Sequence, residues 1–131
     1  MIVQVTAVRR DLLDGNEEIF IDGPGIYDGD RLRAAECAPY KGIDTLSFEP
    51  AMIRLQHRGE TESELVIPYE TKGTAVIRSP LGEMELETEL TSFSRSPQEI
   101  EIGYRLLQDG AEAGRFLLQF TLSPQVQGQP A

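Results

Sequence analysis

Cysteine and histidine are scarce in this sequence, and each scarcity disfavours a class of chemistry. Cys37 is the only cysteine and cannot form a disulfide within the chain, whereas small secreted domains often carry several. His57 is the only histidine, and one histidine with one cysteine cannot complete a tetrahedral zinc site of the usual histidine and cysteine type within a monomer. We therefore predict no metal site and expect a cytoplasmic protein.

Basic residues and long apolar runs are also few. Twelve lysines and arginines stand against 22 aspartates and glutamates, which gives a net charge of -10. A surface that binds nucleic acid or anionic lipid has to neutralise phosphates, so both partners are disfavoured. No apolar run approaches the roughly 20 residues that span a bilayer, and the first residues show no signal-peptide pattern. We expect neither nucleic acid nor membrane as a partner.

Catalytic motifs are the third absence. None of the serines lies in a Gly-x-Ser-x-Gly elbow, and no glycine-rich loop precedes a helix to hold phosphates. As a general base, His57 would need an orienting carboxylate; Glu60 and Glu62 are near in sequence but on a turn. We predict no catalytic residue and no cofactor.

Short runs of alternating apolar and polar residues are abundant, and this alternation is typical of half-buried β-strands. In residues 83–91, Met84, Leu86, Thr88 and Leu90 share one face, and the glutamates between them share the other. Residues 99–107 and 115–122 repeat the scheme and predict a three-stranded meander with the first run. Weaker runs cover residues 2–9, 17–21, 25–28, 31–36, 44–49, 51–57, 64–70 and 73–78.

So many consecutive strands in 131 residues leave no room for a layer of helices. An open antiparallel sheet of this size would expose its edges, which favours closure. The pattern therefore predicts an all-β protein, an antiparallel up-and-down barrel of about 8 to 10 strands. Residues 1–122 would form this single domain, and residues 123–131, which lack charge and periodicity, would form a disordered tail.

The meander also predicts a surface. Pairing inward residues with inward residues places Leu90 opposite Ile100, which puts Glu89 opposite Glu101 on the outside. Such carboxylates can hold a cation or a basic partner, although screening by water and salt favours a merely solvated face. The candidate acidic surface consists of Glu85, Glu87, Glu89 and Glu101.

Several turns and strand residues together resemble a known family over nearly the whole chain. They are Gly25-Ile26-Tyr27, Leu55-Gln56-His57-Arg58-Gly59, Ser79-Pro80-Leu81-Gly82 with the Glu-Met-Glu-Leu strand after it, Thr91, and Tyr104-Arg105-Leu106. In these positions the chain resembles the YwiB-like family, bacterial proteins with a calycin-like β-barrel. The resemblance implies a barrel related in shape to lipocalins and fatty-acid-binding proteins, and it implies no particular activity.

Two functions suit such a barrel. In the first, the protein is not an enzyme and binds a small hydrophobic or amphipathic ligand in its lumen. Candidate lining residues are Leu86, Ile102, Tyr104, Leu118, Phe120 and His57. In the alternative, a monomer or homodimer binds a protein partner through the acidic surface or through outward apolar residues, namely Val66, Val76, Leu107 and Leu117. An enzyme with His57 or Tyr104 as its acid-base residue is the weakest hypothesis.

Overall fold

The computed structural model describes residues 1–125, which form ten antiparallel strands closed into a barrel. The strands are β1 (Ile2–Asp11), β2 (Glu17–Tyr27), β3 (Arg31–Ala35), β4 (Ile43–Phe48), β5 (Met52–Arg58), β6 (Glu62–Pro68), β7 (Gly73–Ser79), β8 (Gly82–Arg95), β9 (Glu99–Gln108) and β10 (Ala111–Pro124). Each strand pairs with its neighbours in sequence, and β10 pairs with β1 to close the barrel. The predicted all-β, up-and-down barrel is confirmed. No helix among these residues has the length and apolarity to cross a membrane.

The core is built from the apolar residues that face inward on the strands. Val5, Ile53, Ile67 and Ile102 have no exposed area, and each belongs to the one large apolar cluster inside the barrel. Burying an aliphatic side chain of this size stabilises the fold by about 1.5–3 kcal/mol. The alternation seen in the sequence therefore supplies the main stabilising contacts.

β2 unites two of the predicted runs, residues 17–21 and 25–28. A bulge in its pairing with β1 sets Ile21 opposite Ala7 and Ile19 opposite Val8, so that Phe20 is the extra residue. Because of this irregularity, the consecutive residues Phe20 and Ile21 are both buried. A bulge interrupts strict alternation and adds bend and twist to a strand, which explains why the sequence pattern suggested two strands.

The predicted register of the meander is wrong. Leu90 lies opposite Tyr104 rather than Ile100, and Glu89 lies opposite Arg105 rather than Glu101. The prediction failed because β8 continues to Arg95 and contains a bulge between Leu90 and Ser92. The pair of like charges expected across this ladder is therefore absent, and a pair of opposite charges stands in its place.

Two further expectations are corrected. Leu107, predicted to point outward as part of a dimer face, is 2% exposed, so it is not available to a partner. Ser123 and Pro124 belong to β10, where Pro124 pairs with Val3, so the barrel continues past residue 122. The end of the predicted tail, residues 126–131, lies outside the described residues.

Candidate functional site

A cavity of about 380 Å³ opens into the barrel at the end where β3 connects to β4 and β5 to β6. Its deep wall is apolar and includes Phe20, Leu46, Leu65, Leu118 and Phe120. Its mouth is polar and includes Arg9, Glu36, Tyr40, Asp44 and His57. An apolar cavity of this volume with a few polar groups has the usual composition of a small-molecule site.

Strand geometry brings the carboxylates of the mouth to His57. On β4 and β5, Asp44 and His57 are direct cross-strand partners, and on β3 the partner of Asp44 is Ala34. Glu36 follows two residues after Ala34 and therefore continues the same inward face. Three neighbouring strands thus deliver Glu36, Asp44 and His57 to one place.

The imidazole of His57 lies between the two carboxylates. Nδ1 of His57 is 2.7 Å from Oδ1 of Asp44 and 3.0 Å from Oε2 of Glu36. A carboxylate oxygen accepts hydrogen bonds, so Nδ1 of His57 carries a hydrogen and donates a hydrogen bond to Oδ1 of Asp44. The other oxygen of Asp44, Oδ2, is buried and has no hydrogen-bond partner among the described residues. An unpaired buried acceptor of this kind is uncommon in folded proteins.

Two glycines make room for this ring. A Cβ atom on Gly42 would lie 2.6 Å from Cε1 of His57, and Gly42 has a φ of +124°. A Cβ on Gly59 would lie 3.2 Å from Nε2 of His57 and 3.0 Å from the carbonyl oxygen of Lys41. Both space and backbone conformation therefore favour glycine at position 42. The turns after β3 and β5 hold the imidazole in place.

Burial and charge perturb the protonation of Glu36. Desolvation, a hydrogen bond with the Asp44 side chain and the negative charge of Asp44 raise the pKa of Glu36 from 4.5 to about 8. At neutral pH the carboxyl of Glu36 therefore keeps its proton. Ligating atoms of Glu36, Asp44 and His57 all lie within 4.8 Å of one another, so this cluster is also where a metal ion could be held. No metal site was predicted from the sequence, so this donor set was not among the expected sites.

Arg9, Glu18 and Tyr40 form a second polar group beside the first. The guanidinium of Arg9 donates from Nε to Oε1 of Glu18 at 2.9 Å, and the hydroxyl of Tyr40 donates to Oε2 of Glu18. The hydrogen bonds from Tyr40 and Arg9 lower the pKa of Glu18. Glu18 is thus ionised, and its charge balances that of Arg9.

The predicted lining residues divide into two sets. His57, Tyr104, Leu118 and Phe120 line the cavity. Leu86 and Ile102 do not: Leu86 lies opposite Ala75, and Ile102 lies between Phe93 and Leu118. Both are buried in the packed part of the core, where side chains fill the interior, so neither lines this cavity.

Tyr104 is the most deeply buried polar residue of the predicted set. Its ring lies 5.6 Å from that of Phe116, centroid to centroid, and both rings line the cavity. Burial raises the pKa of Tyr104 to about 12. The hydroxyl therefore stays protonated throughout the physiological range and can donate a hydrogen bond.

The candidate acidic surface is less uniform than predicted. Glu89 accepts a hydrogen bond from Nε of Arg105 at 2.6 Å, and Glu101 accepts one from Nε2 of Gln119 at 3.1 Å. Glu85 and Glu87 remain exposed. Half of this surface is thus engaged by neighbouring side chains.

Glu36 and Asp44 were missed by sequence reasoning, although a signal for them exists. Both continue the inward alternation of their strands, Glu36 after Leu32 and Ala34, and Asp44 before Leu46. The carboxylates expected beside His57 were instead Glu60 and Glu62, its near neighbours along the chain. Partners from neighbouring strands lie further away along the chain, and only the strand order identifies them.

Comparison with known proteins supports the fold. No protein-family model matches the chain, and no curated protein matches it. Among solved structures, the crystal structure of the ywiB protein from Bacillus subtilis is similar, with a TM-score of 0.56 and 14% sequence identity over 94% of this chain and 91% of that chain. Identity this low shows the fold alone. The expected YwiB-like fold is thereby confirmed, and no ligand or activity is assigned.

Proposed function

We propose that this protein binds a small amphipathic molecule in the lumen of a lipocalin-like barrel. The apolar part of the ligand would lie against Leu46, Leu118 and Phe120, and its polar part would lie at the mouth beside Asp44 and His57. The observation that carries this proposal is the cavity itself, with about 380 Å³ of space and walls that change from apolar to polar.

The volume argues for a ligand larger than a solvent molecule. Closely packed interiors contain few voids larger than a water molecule, and an apolar cavity of roughly 150 Å³ is enough to bind benzene. The lumen here is larger than that. An apolar chain or ring placed in it would gain about 25 cal/mol for each Å² of apolar surface removed from water.

The polar mouth argues for an amphipathic ligand rather than a purely apolar one. An apolar molecule that covered the mouth would remove the partly exposed side chains of Glu36, Asp44 and His57 from water, at a cost of about 1–3 kcal/mol for each polar group left without a partner. A polar group on the ligand can supply a hydrogen bond at that position instead. It would also fix the direction in which the molecule enters.

Filling the lumen tests the proposal. Leu118→Trp adds a bulky ring to the cavity wall, and Leu117→Trp makes the same change at the neighbouring, outward-pointing position of β10. The ligand substitute is the uncharged fluorophore N-phenylnaphthylamine, excited where tryptophan does not absorb. We expect saturable binding to the unaltered protein and to Leu117→Trp, and at least a tenfold weaker affinity for Leu118→Trp.

Two results would contradict the proposal. The first is the absence of saturable binding to the unaltered protein. The second is equal affinity in Leu118→Trp and the unaltered protein, which would place the fluorophore on the outer surface. Thermal melting of both variants shows whether a lost affinity reflects a filled cavity or a damaged fold.

A further inference from the structure

We infer that the ligand of this lumen carries a neutral carbonyl oxygen within its apolar part, and that the hydroxyl of Tyr104 donates a hydrogen bond to that oxygen. This inference rests on the proposed lumen-binding function and adds a chemical class to the ligand. Three observations carry it: the missing partner of the Tyr104 hydroxyl, the apolar wall around it, and its place across the lumen from Asp44.

The hydroxyl of Tyr104 is a donor to which the protein offers no acceptor. Tyr104 is 7% exposed and lines the cavity. Its hydroxyl has no hydrogen-bond partner among residues 1–125, and only burial and the charge of Arg9 perturb its pKa. Tyr27, the other buried tyrosine, donates to the carbonyl oxygen of Gly29 at 3.2 Å. Buried polar groups nearly always have a partner, so that of Tyr104 comes from what occupies the cavity.

The same hydroxyl is accessible to a molecule in the lumen. Among the described residues, the side-chain polar atom that is both sealed and unpartnered is Oδ2 of Asp44. The hydroxyl of Tyr104 is unpartnered but not sealed, so it borders the open space of the cavity. Its ring packs against that of Phe116, with the centroids 5.6 Å apart, and this contact restrains the direction of the hydroxyl.

The wall around Tyr104 favours a neutral acceptor. Phe116 and Leu118 line the cavity beside it, and a charged oxygen brought there from water would lose hydration that one hydroxyl does not replace. Arg9 is already paired with Glu18, so it offers no uncompensated charge to an anion. A ligand hydroxyl would bring a donor of its own into this apolar wall. A carbonyl oxygen carries no charge and only accepts, so Tyr104 alone can satisfy it.

Tyr104 and Asp44 lie on opposite sides of the lumen. In the closed ring of ten strands, β9 with Tyr104 is five strands from β4 with Asp44 in either direction. A ligand that contacts both residues therefore spans the lumen, with its apolar body between two polar points. This arrangement favours a carbonyl within the body of the ligand over a chain with one polar head.

Three molecules with the same two phenyl rings provide the test: benzophenone, diphenylmethane and diphenylphosphinate. The group between their rings is a carbonyl, a methylene or a charged phosphinate. Each is used to displace N-phenylnaphthylamine from the unaltered protein and from Tyr104→Phe, which removes the hydroxyl and keeps the ring. Diphenylmethane is the more apolar of the two neutral probes, so the quantity compared between proteins is the ratio of their affinities.

We expect the affinity for benzophenone, relative to that for diphenylmethane, to fall by about two- to tenfold in Tyr104→Phe, the usual net effect of one neutral hydrogen bond. Tyr27→Phe is the matched control, since it removes the hydroxyl of a buried tyrosine that does not line this cavity, and should keep the ratio. Diphenylphosphinate should bind the unaltered protein more weakly than benzophenone does.

A spectroscopic measurement on the unaltered protein tests the hydrogen bond without a substitution. Hydrogen bonding deshields a carbonyl carbon, so the carbon-13 resonance of labelled benzophenone should lie further downfield in the protein than in cyclohexane. A resonance at the cyclohexane position would overturn the inference, even if Tyr104→Phe failed to fold.

The outcomes separate this inference from the function on which it rests. If the fluorophore binds but the ratio is the same in folded Tyr104→Phe and the unaltered protein, the carbonyl inference is wrong and the binding cavity stands. Tighter binding of diphenylphosphinate than of benzophenone would also overturn it. If the fluorophore and all three probes fail to bind, the proposed function fails with it.

Discussion

The two ends of the barrel are built by the same ten strands, yet they differ in what their inward positions carry. β4 shows the contrast within one strand, because Asp44 faces the cavity mouth and Phe48 faces the interior near the other end. There Phe93 lies 5.8 Å from Phe48 and 5.7 Å from Tyr69, ring centroid to ring centroid. Alternation decides only that a residue points inward. Whether that end becomes packed core or an open cavity depends on residue type and on which strands meet.

The largest expected effect is on the free energy of unfolding. It should differ between a side chain truncated in the packed core and one truncated at the cavity. Ile53 and Leu55 both point inward on β5, but Ile53 is fully buried and Leu55 lines the cavity. Ile53→Ala should lower the free energy of unfolding by about 2–5 kcal/mol. Leu55→Ala should cost clearly less, because Leu55 already borders open space. Urea unfolding of both variants measures this, and equal losses would mean that the cavity wall is packed as tightly as the core.

The next effect is a pH dependence of stability that arises at the mouth. Glu36 has a pKa of about 8 in the folded protein and about 4.5 when unfolded. The folded state therefore binds more protons than the unfolded state in this window, and stability falls as pH rises from 4.5 to 8. Asp44 and Glu18 raise the pKa of this carboxyl and Arg9 lowers it, and the His57 imidazole lies beside it.

Glu36→Gln isolates the part due to Glu36. Denaturant unfolding at several pH values should show a shallower decline in this variant than in the unaltered protein. Glu85→Gln, at an exposed position on β8, should leave the slope unchanged. A decline as steep in Glu36→Gln as in the unaltered protein would show that Glu36 does not hold its proton in the folded state.

The smallest expected effect concerns Tyr104, at the inner side of the cavity. Burial holds its pKa at about 12, so its ionisation should be among the last seen as tyrosine absorbance is followed to high pH. Tyr104→Phe should remove this late change. Identical absorbance curves above pH 11 for the variant and the unaltered protein would show that the Tyr104 hydroxyl is solvated.

The sequence indicated which side chains point into the barrel, but it did not indicate which residues of neighbouring strands lie opposite each other. The alternation in β8, β9 and β10 correctly indicated a meander, because each side chain's face depends only on the local period of two. Register depends on where strands end and on bulges, such as the one between Leu90 and Ser92. Gly103 lies opposite Ser92 there, and a Cβ at this glycine would meet the hydroxyls of Ser92 and Thr91. Such a fit between strands has no signature in either strand alone.

The amino-acid sequence by itself determined an all-β barrel and the inward direction of Glu36, Asp44 and His57, since both follow from local alternation. The tertiary structure decided that these three side chains meet, because the order of β3, β4 and β5 around the barrel and their register place them on adjacent strands. It also decided that Leu86 and Ile102 fill the interior while Leu118 and Phe120 border open space. The space left inside a barrel depends on how side chains from all its strands pack together, which no single run of sequence contains.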